Sequence, residues 1–245
     1  MKVSLMRNPD PKYWVSNNEN AIYLDASLSL TPTQVLKAVS NVNTNLKKLQ
    51  AATKSQVIDI FEVLDFRMLS GLVGETLITE LSKIHSKFIK NPNIDGYPDL
   101  CAIRDDDAFR KFREWEKNDQ NQFIKFPFGG VEIKNTFGTK KGNSTIEPRS
   151  QRILGVNKKP DWKAHHNYTN NLLAIMSDFI NGTPQITMAF YSSKLTSEDW
   201  RSKQNPKPGS TMTSFSVIKN TGWLKLRSNP ILILEHPNYK KYAGL

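Results

Sequence analysis

The sequence predicts an α/β protein with a central mixed β-sheet flanked by helices and with a mainly helical N-terminal region. Helical periodicity dominates up to about residue 90, and strand-like segments alternate with helical ones beyond it. That order favours packed layers around one sheet. The 245 residues fit a single domain, with a mainly helical part over 1–69, a core over 70–137 and a basic part over 138–245.

The first third of the chain carries the helical patterns. A short candidate strand at 21–24 precedes Thr31-Pro32, which predicts a helix start because a hydroxyl caps the first turn and proline suits the first helical position. Asn91-Pro92 predicts the end of the last helix in this region. The segments with helical periodicity are residues 32–50, 55–66 and 70–88.

Strands and helices mix in the rest of the chain. Asp105 opens a predicted helix that places Phe109, Phe112 and Trp115 on one face. A second helix is predicted near residues 162–180 from its apolar spacing. The predicted strands are residues 100–103, 123–133 with a break at Gly129-Gly130, 186–191 and 231–234.

Composition limits the class of protein. No apolar run approaches the ~18 residues that a membrane span requires. The polar start of the chain does not resemble a secretory signal. A single cysteine, Cys101, excludes an internal disulfide framework and a multi-cysteine zinc site. We therefore expect a cytoplasmic protein that has no membrane partner.

Positive charge is concentrated in the second half of the chain. The net charge is +11, with 34 basic and 23 acidic residues. From Val131 onward there are 17 basic and only seven acidic residues, whereas residues 1–130 are almost balanced. Such a distribution indicates a polyanionic partner, of which nucleic acid is the usual example. A basic surface that only maintains solubility is the alternative.

Three charged residues carry a possible chemistry. Asp99 follows a proline at the start of a predicted strand. Glu132 and Lys134 lie two apart in another predicted strand, so their side chains share one face. Two carboxylates on neighbouring strands suit Mg²⁺, which prefers oxygen ligands and keeps positions open for phosphate and water. The alternative is that Asp99 lies in a turn and that Glu132 and Lys134 form an exposed ion pair of little energetic value.

Pro98-Asp99 followed by Glu132-Ile133-Lys134 resembles the PD-(D/E)xK nuclease signature of type II restriction endonucleases. The resemblance implies a restriction-endonuclease-like core in which Asp99 and Glu132 bind Mg²⁺ and Lys134 acts on the attacking water. Family members often carry a glutamate on the preceding helix, and Glu75 is similar to it. The interval of 33 residues from Asp99 to Glu132 requires a helix inserted between the two strands.

The resemblance also implies an activity and partners. We expect a Mg²⁺-dependent, sequence-specific endonuclease that cuts double-stranded DNA to leave 5′-phosphate ends, acts as a homodimer and shares its site with a cognate methyltransferase. A structure-specific repair or recombination nuclease of the same fold is one alternative. A non-catalytic DNA-binding protein is the other.

Two polar, basic segments are predicted to contact DNA, because their donors suit phosphates and guanine edges. They are residues 138–152 and 201–214, with the candidates Lys140, Lys141, Asn143, Arg149, Arg152, Arg201, Lys203, Gln204 and Lys207. His165-His166 superficially suggests a metal nuclease of another type, but further ligands at suitable spacing are not visible. Phosphate contact or helix capping is the preferred interpretation for these two histidines.

Overall fold

A computed structural model describes residues 11–19, 21–137, 160, 162–164, 169–205 and 214–245. The helices are α1 (Pro32–Lys54), α2 (Ile60–Val63), α3 (Phe66–Ile84), α4 (Asp106–Asn118), α5 (Asn220–Arg227) and α6 (Pro237–Ala243). The strands are β1 (Tyr13–Val15), β2 (Ile22–Asp25), β3 (Leu28–Leu30), β4 (Phe88–Lys90), β5 (Leu100–Ala102), β6 (Gly130–Thr136), β7 (Lys163–Ala164), β8 (Leu172–Ile180), β9 (Thr183–Ser192), β10 (Ser216–Val217) and β11 (Pro230–Leu234). Short 3-10 helices span Gln120–Phe123 and Ser197–Asp199.

Seven strands form one mixed sheet in the order β1-β11-β9-β8-β6-β5-β4. β6 runs parallel to β8, and the other five pairings are antiparallel. Two-stranded ribbons of β2 with β3 and of β7 with β10 lie outside this sheet. The architecture confirms the predicted α/β class with a central mixed sheet.

Helices cover both faces of the sheet. Alternate residues of a strand point to opposite faces, and in β8 Leu173 and Ile175 join a core with α1 and α3. Leu172 and Ala174 instead join a second core with α5 and α6. A third cluster packs α4 against Cys101 of β5. Among the described helices, none has both the length and the apolar character needed to cross a membrane.

The helix predicted near residues 162–180 is wrong, because residues 172–180 form β8. All residues of β8 up to Phe179 are buried. A strand covered on both faces carries apolar residues on both, so the apolar run 172–176 lacks the alternation that would distinguish it from a buried helix. The strands predicted at 186–191 and 231–234 are confirmed as β9 and β11.

The helical pattern predicted over residues 55–66 is interrupted. Val57 has a φ of 82°, which a β-branched residue rarely adopts and which a right-handed helix excludes. Only the single turn of α2 forms here, and Asp65 then caps α3 through its side chain. α3 ends at Ile84, so residues 86–88, predicted as its last turn, lead into β4 instead.

An insertion separates β5 from β6 in sequence. Its helix begins as predicted, because the Asp105 side chain accepts a hydrogen bond from Ala108 N at 2.8 Å. Phe112 and Phe123 pack edge to face, with ring centroids 4.9 Å apart, in the cluster that contains Cys101. The strand predicted from residue 123 begins only at Gly130. Because the insertion packs against β5, it leaves β6 free to pair with that strand.

The β5–β6 pairing requires glycine at residue 130. A Cβ built there would lie 1.9 Å from Leu100 O and 2.7 Å from Pro98 Cγ. We expect Gly130→Ala to lower the free energy of unfolding by about 2 kcal/mol or more, since backbone must move. Gly71 of α3 is the control, because nothing lies within 4 Å of an added Cβ and alanine favours helix by up to ~1 kcal/mol. Urea unfolding measures the stability of both variants against that of the native protein. A Gly130→Ala variant as stable as the native protein would contradict the pairing of β5 with β6.

Candidate active site

The strand register brings Asp99 next to Glu132. β5 and β6 are antiparallel, with Leu100 opposite Val131 and Cys101 opposite Gly130. The same register places Asp99 opposite Glu132, just where β5 begins. Val131 and Ile133 point into the core shared with α1 and α3. Glu132 therefore occupies the other face of the sheet.

Backbone amides hold both carboxylates. Glu132 N donates to Asn171 O of the β8 side at 2.9 Å, so the next amide along β6 points towards β5. That amide, Ile133 N, donates to Asp99 Oδ2 at 2.7 Å, where β5 itself supplies no acceptor. In return, Asp99 N contacts Glu132 Oε2 at 3.3 Å. The two carboxylates are thus fixed at the point where β5 separates from β6.

Lys134 completes a compact charged group. Its Nζ lies 2.7 Å from Glu132 Oε1 and 3.4 Å from Asp99 Oδ2. The Glu132 side chain is only 3% exposed, whereas those of Asp99 and Lys134 are 19% and 20% exposed. Solvent therefore reaches the group mainly through Asp99 and Lys134. The sequence prediction that these three side chains meet agrees with this geometry.

The charges of the group perturb one another. Burial, and next the Glu132 carboxylate, raise the pKa of Asp99 to about 7, although Lys134 and the Ile133 amide act in the opposite direction. Burial disfavours the ammonium of Lys134, but the two carboxylates outweigh it and raise the pKa of Lys134 above its ordinary value. Lys134 consequently stays protonated. The two carboxylates together carry more negative charge than the single positive charge of Lys134 neutralises.

The donor set suits a hard divalent cation. Carboxylate oxygens are the ligands that Mg²⁺ prefers, and a bound cation would relieve the repulsion that raises the Asp99 pKa. Within the described part of the chain, no group of three or more histidine, cysteine or acidic side chains is placed to share a metal. Two carboxylates are sufficient for Mg²⁺, because it commonly keeps several waters and takes substrate phosphate oxygens as further ligands.

Asn91 positions the segment that carries Asp99, a role the sequence prediction missed. Its backbone N donates to Asp99 O at 2.9 Å, and its Nδ2 donates to Pro98 O and Phe123 O at 3.0 Å each. The side chain is buried. Asn91-Pro92 predicted only a helix end, and the local sequence contains no signal for contacts made across the fold.

The structure joins Glu75 to Lys90 rather than to the carboxylate pair. Glu75 Oε2 lies 2.6 Å from Lys90 Nζ, and both side chains are about half exposed. α3 packs on the sheet face that Ile133 occupies, which is opposite to the face of Glu132. The accessory role of Glu75 stays a prediction.

The predicted DNA-contacting residues divide into two groups. Arg201, Lys203 and Gln204 lie on an exposed segment that lines a cleft of about 560 Å³ together with Lys219. Backbone bonds from Arg201 N to Val217 O, and from Gln204 N to Phe215 O, both 2.8 Å, hold this segment. The remaining candidates, and the two histidines, lie outside the described residues, and they are Lys140, Lys141, Asn143, Arg149, Arg152, Lys207, His165 and His166.

Asp99 should make metal-free stability depend on pH. A carboxyl whose pKa is raised in the folded state contributes most below its unfolded value near 4, and this contribution is lost as the pH rises through about 7. The unfolding free energy of the native protein relative to Asp99→Asn should therefore fall by about 1 kcal/mol or more between pH 5 and pH 8. Urea unfolding in EDTA measures the difference, with Glu116→Gln on α4 as the control. A difference that does not vary with pH would contradict the close carboxylate pair.

In comparisons with known proteins, no family model matches the chain, and no curated protein or solved structure matches it at a significant level. The geometry of Asp99, Glu132 and Lys134, and the chemistry that these groups support, are therefore the basis for the function.

Proposed function

We propose that the protein is a Mg²⁺-dependent DNA endonuclease whose active site contains Asp99, Glu132 and Lys134. One observation carries the proposal. Two carboxylates and one protonated lysine, from positions 33 residues apart, meet at the point where two strands separate, with part of the group open to solvent. Phosphodiester hydrolysis needs a site for a divalent cation, an oriented water and positive charge near the phosphate.

The arrangement of elements supports the resemblance to PD-(D/E)xK nucleases. A helix, α3, precedes the strands that carry the charged group, and a mixed sheet flanked by helices surrounds them. The interval between Asp99 and Glu132 is accommodated, because α4 forms a separately packed insertion. A restriction-endonuclease-like core is therefore the fold that we propose within the α/β class.

Each residue of the group has a proposed role in hydrolysis. Asp99 and Glu132 would hold Mg²⁺, which supplies a Lewis acid for the phosphate and lowers the pKa of bound water. The Lys134 ammonium cannot accept a proton, so it would orient the attacking water and stabilise charge on the phosphate oxygens. The water oxygen bonds to phosphorus and the bond from phosphorus to the 3′ oxygen breaks. The water releases a proton to solvent, and the 3′ oxygen takes one from solvent. The products are a 5′-phosphate and a 3′-hydroxyl.

The basic surface fits a polyanionic substrate. Arg201, Lys203 and Lys219 line one cleft and would contact phosphates, which fixes orientation more than sequence. Double-strand cleavage of a symmetric site needs two active sites, so we propose a homodimer. The type II restriction activity, sequence specificity and a cognate methyltransferase remain proposals that rest on the resemblance.

Loss of any of the three charged groups should abolish cleavage. We expect Asp99→Ala, Glu132→Ala and Lys134→Ala each to reduce the cleavage rate at least 100-fold, since interactions made with the transition state are lost. DNA binding should remain, because these groups contribute little of the phosphate contact. Plasmid cleavage and gel-shift assays measure the two properties separately.

Glu116→Gln serves as the matched control, since Glu116 lies on the surface of α4 and pairs with Arg113. Glu75→Gln tests the accessory role independently. Full activity of Glu132→Ala would refute the site. Discrete plasmid fragments indicate a restriction enzyme, smears or cutting at branched substrates indicate a repair nuclease, and a gel shift without cutting indicates a non-catalytic binder.

Cleavage should depend on the cation. We expect activity with Mg²⁺ or Mn²⁺, none in EDTA, and little with Ca²⁺, which accepts the same oxygen ligands but is larger and coordinates less strictly. Binding of DNA should persist in Ca²⁺. Apparent Mg²⁺ affinity should rise as the pH increases through about 7, because the carboxyl of Asp99 must lose its proton to bind the cation. Undiminished cleavage in EDTA would exclude the mechanism.

A further inference from the structure

A cleft of about 640 Å³ opens where β6 begins. Its walls include Tyr97, Gly129 and Gly130, and the residues just before β8 contribute Asn170 and Asn171. Asp99, Glu132 and Lys134 are not part of the lining. The cleft is therefore a separate feature, and its volume is that of a site for a small organic molecule.

The cleft is rich in aromatic side chains. Tyr23 contributes a ring that is 47% exposed. Phe126 and Phe128 lie on another wall, with ring centroids 5.4 Å apart in an edge-to-face contact. They belong to the packed cluster of the insertion. An exposed ring opposite packed aromatic side chains suits the flat face of a nucleobase.

The polar groups of the cleft suit the rest of a nucleotide. Arg104 and Lys125 are cations, and none of the described residues that line the cleft is acidic. Arg104 also forms an ion pair with Asp25, whose Oδ2 lies 3.1 Å from Arg104 Nε. The amides of Asn170 and Asn171 offer both donors and acceptors, as the edge of a base requires. Two cations together with aromatic rings and amides in the lining favour an anion that carries an aromatic group.

Short covalent and hydrogen-bonded links connect the cleft to the charged group. Tyr97 precedes Asp99 by two residues, and its Oη lies 3.3 Å from Asn170 Oδ1. Asn171 O accepts the hydrogen bond from Glu132 N at 2.9 Å. Since only Pro98 separates Tyr97 from Asp99, a nucleotide in the cleft would lie close to the proposed metal ligands.

We propose that this cleft binds one unpaired nucleotide, stacked on Tyr23 with its phosphate near Lys125 and Arg104. A paired base cannot enter a cleft of this kind, because its faces are covered within the duplex. Extruding a base costs free energy, and least where the base is already unpaired. Stacking of that base on an aromatic ring offsets the cost. The statement that the nucleotide belongs to a DNA substrate rests on the proposed function. The binding of a nucleotide in the cleft does not depend on that function.

The test measures binding without cleavage. Fluorescence anisotropy in EDTA compares a paired duplex, the same duplex with one unpaired adenine, and adenosine 5′-monophosphate as a free competitor. We expect the duplex with the unpaired base to bind at least fivefold more tightly than the paired one. Tyr23→Ala and Lys125→Ala should each reduce this ratio to about one. Tyr23→Phe retains the ring and should preserve it.

Phe109→Ala is the control, because Phe109 is also an exposed ring, 42% accessible, but lies outside the cleft. Tyr23-dependent binding of the monophosphate, without preference for the unpaired duplex, would show that the nucleotide is free rather than part of DNA. Binding of neither, or a preference that survives both alanine variants, would overturn the inference. Glu132→Ala reports on cleavage alone, so the proposed function and this inference fail independently.

Discussion

The antiparallel contact of β5 with β6 is the interaction on which the charged group depends. It includes only two residue pairs, Leu100 with Val131 and Cys101 with Gly130. Beyond them β5 separates, and the amide of Ile133 is left without a strand partner until the Asp99 carboxylate accepts its hydrogen bond. A longer pairing would satisfy that amide with backbone, and the Asp99 carboxylate would lose the hydrogen bond that orients it. The short contact therefore fixes the orientation of Asp99 beside Glu132.

Holding two carboxylates together is unfavourable, and the surroundings compensate for it. Burial raises the pKa of Asp99, and the like charge of Glu132 at short range adds to the effect. Lys134 and two backbone N–H groups provide the opposing interactions. Each carboxylate therefore keeps a hydrogen bond from backbone, which orients it independently of the ammonium. Stability and the capacity to bind a cation are linked here, since a divalent ion would relieve the repulsion between the two carboxylates.

The insertion between β5 and β6 has consequences at two places. Its inner aromatic residues pack on Cys101 and thereby hold β5, while Phe123 O accepts a hydrogen bond from Asn91, which positions Asp99. Its last residues, including Phe128, line the cleft beside Tyr23. One packed unit thus supports both the charged group and a neighbouring aromatic cleft. A change in the packing of the insertion would alter the geometry of both the charged group and the cleft.

Local sequence was sufficient for features that depend on neighbouring residues. Thr31 caps α1 and Gln34 returns the hydrogen bond, so the start of that helix is determined within four residues. The same is true of the shared face of Glu132 and Lys134, which follows from the two-residue period of a strand. Tertiary structure decided that residues 172–180 form a strand, because its two faces are covered by helices distant in sequence. It also decided that Asp99 meets Glu132, since register across the insertion of residues 103–129 depends on contacts that no local pattern contains.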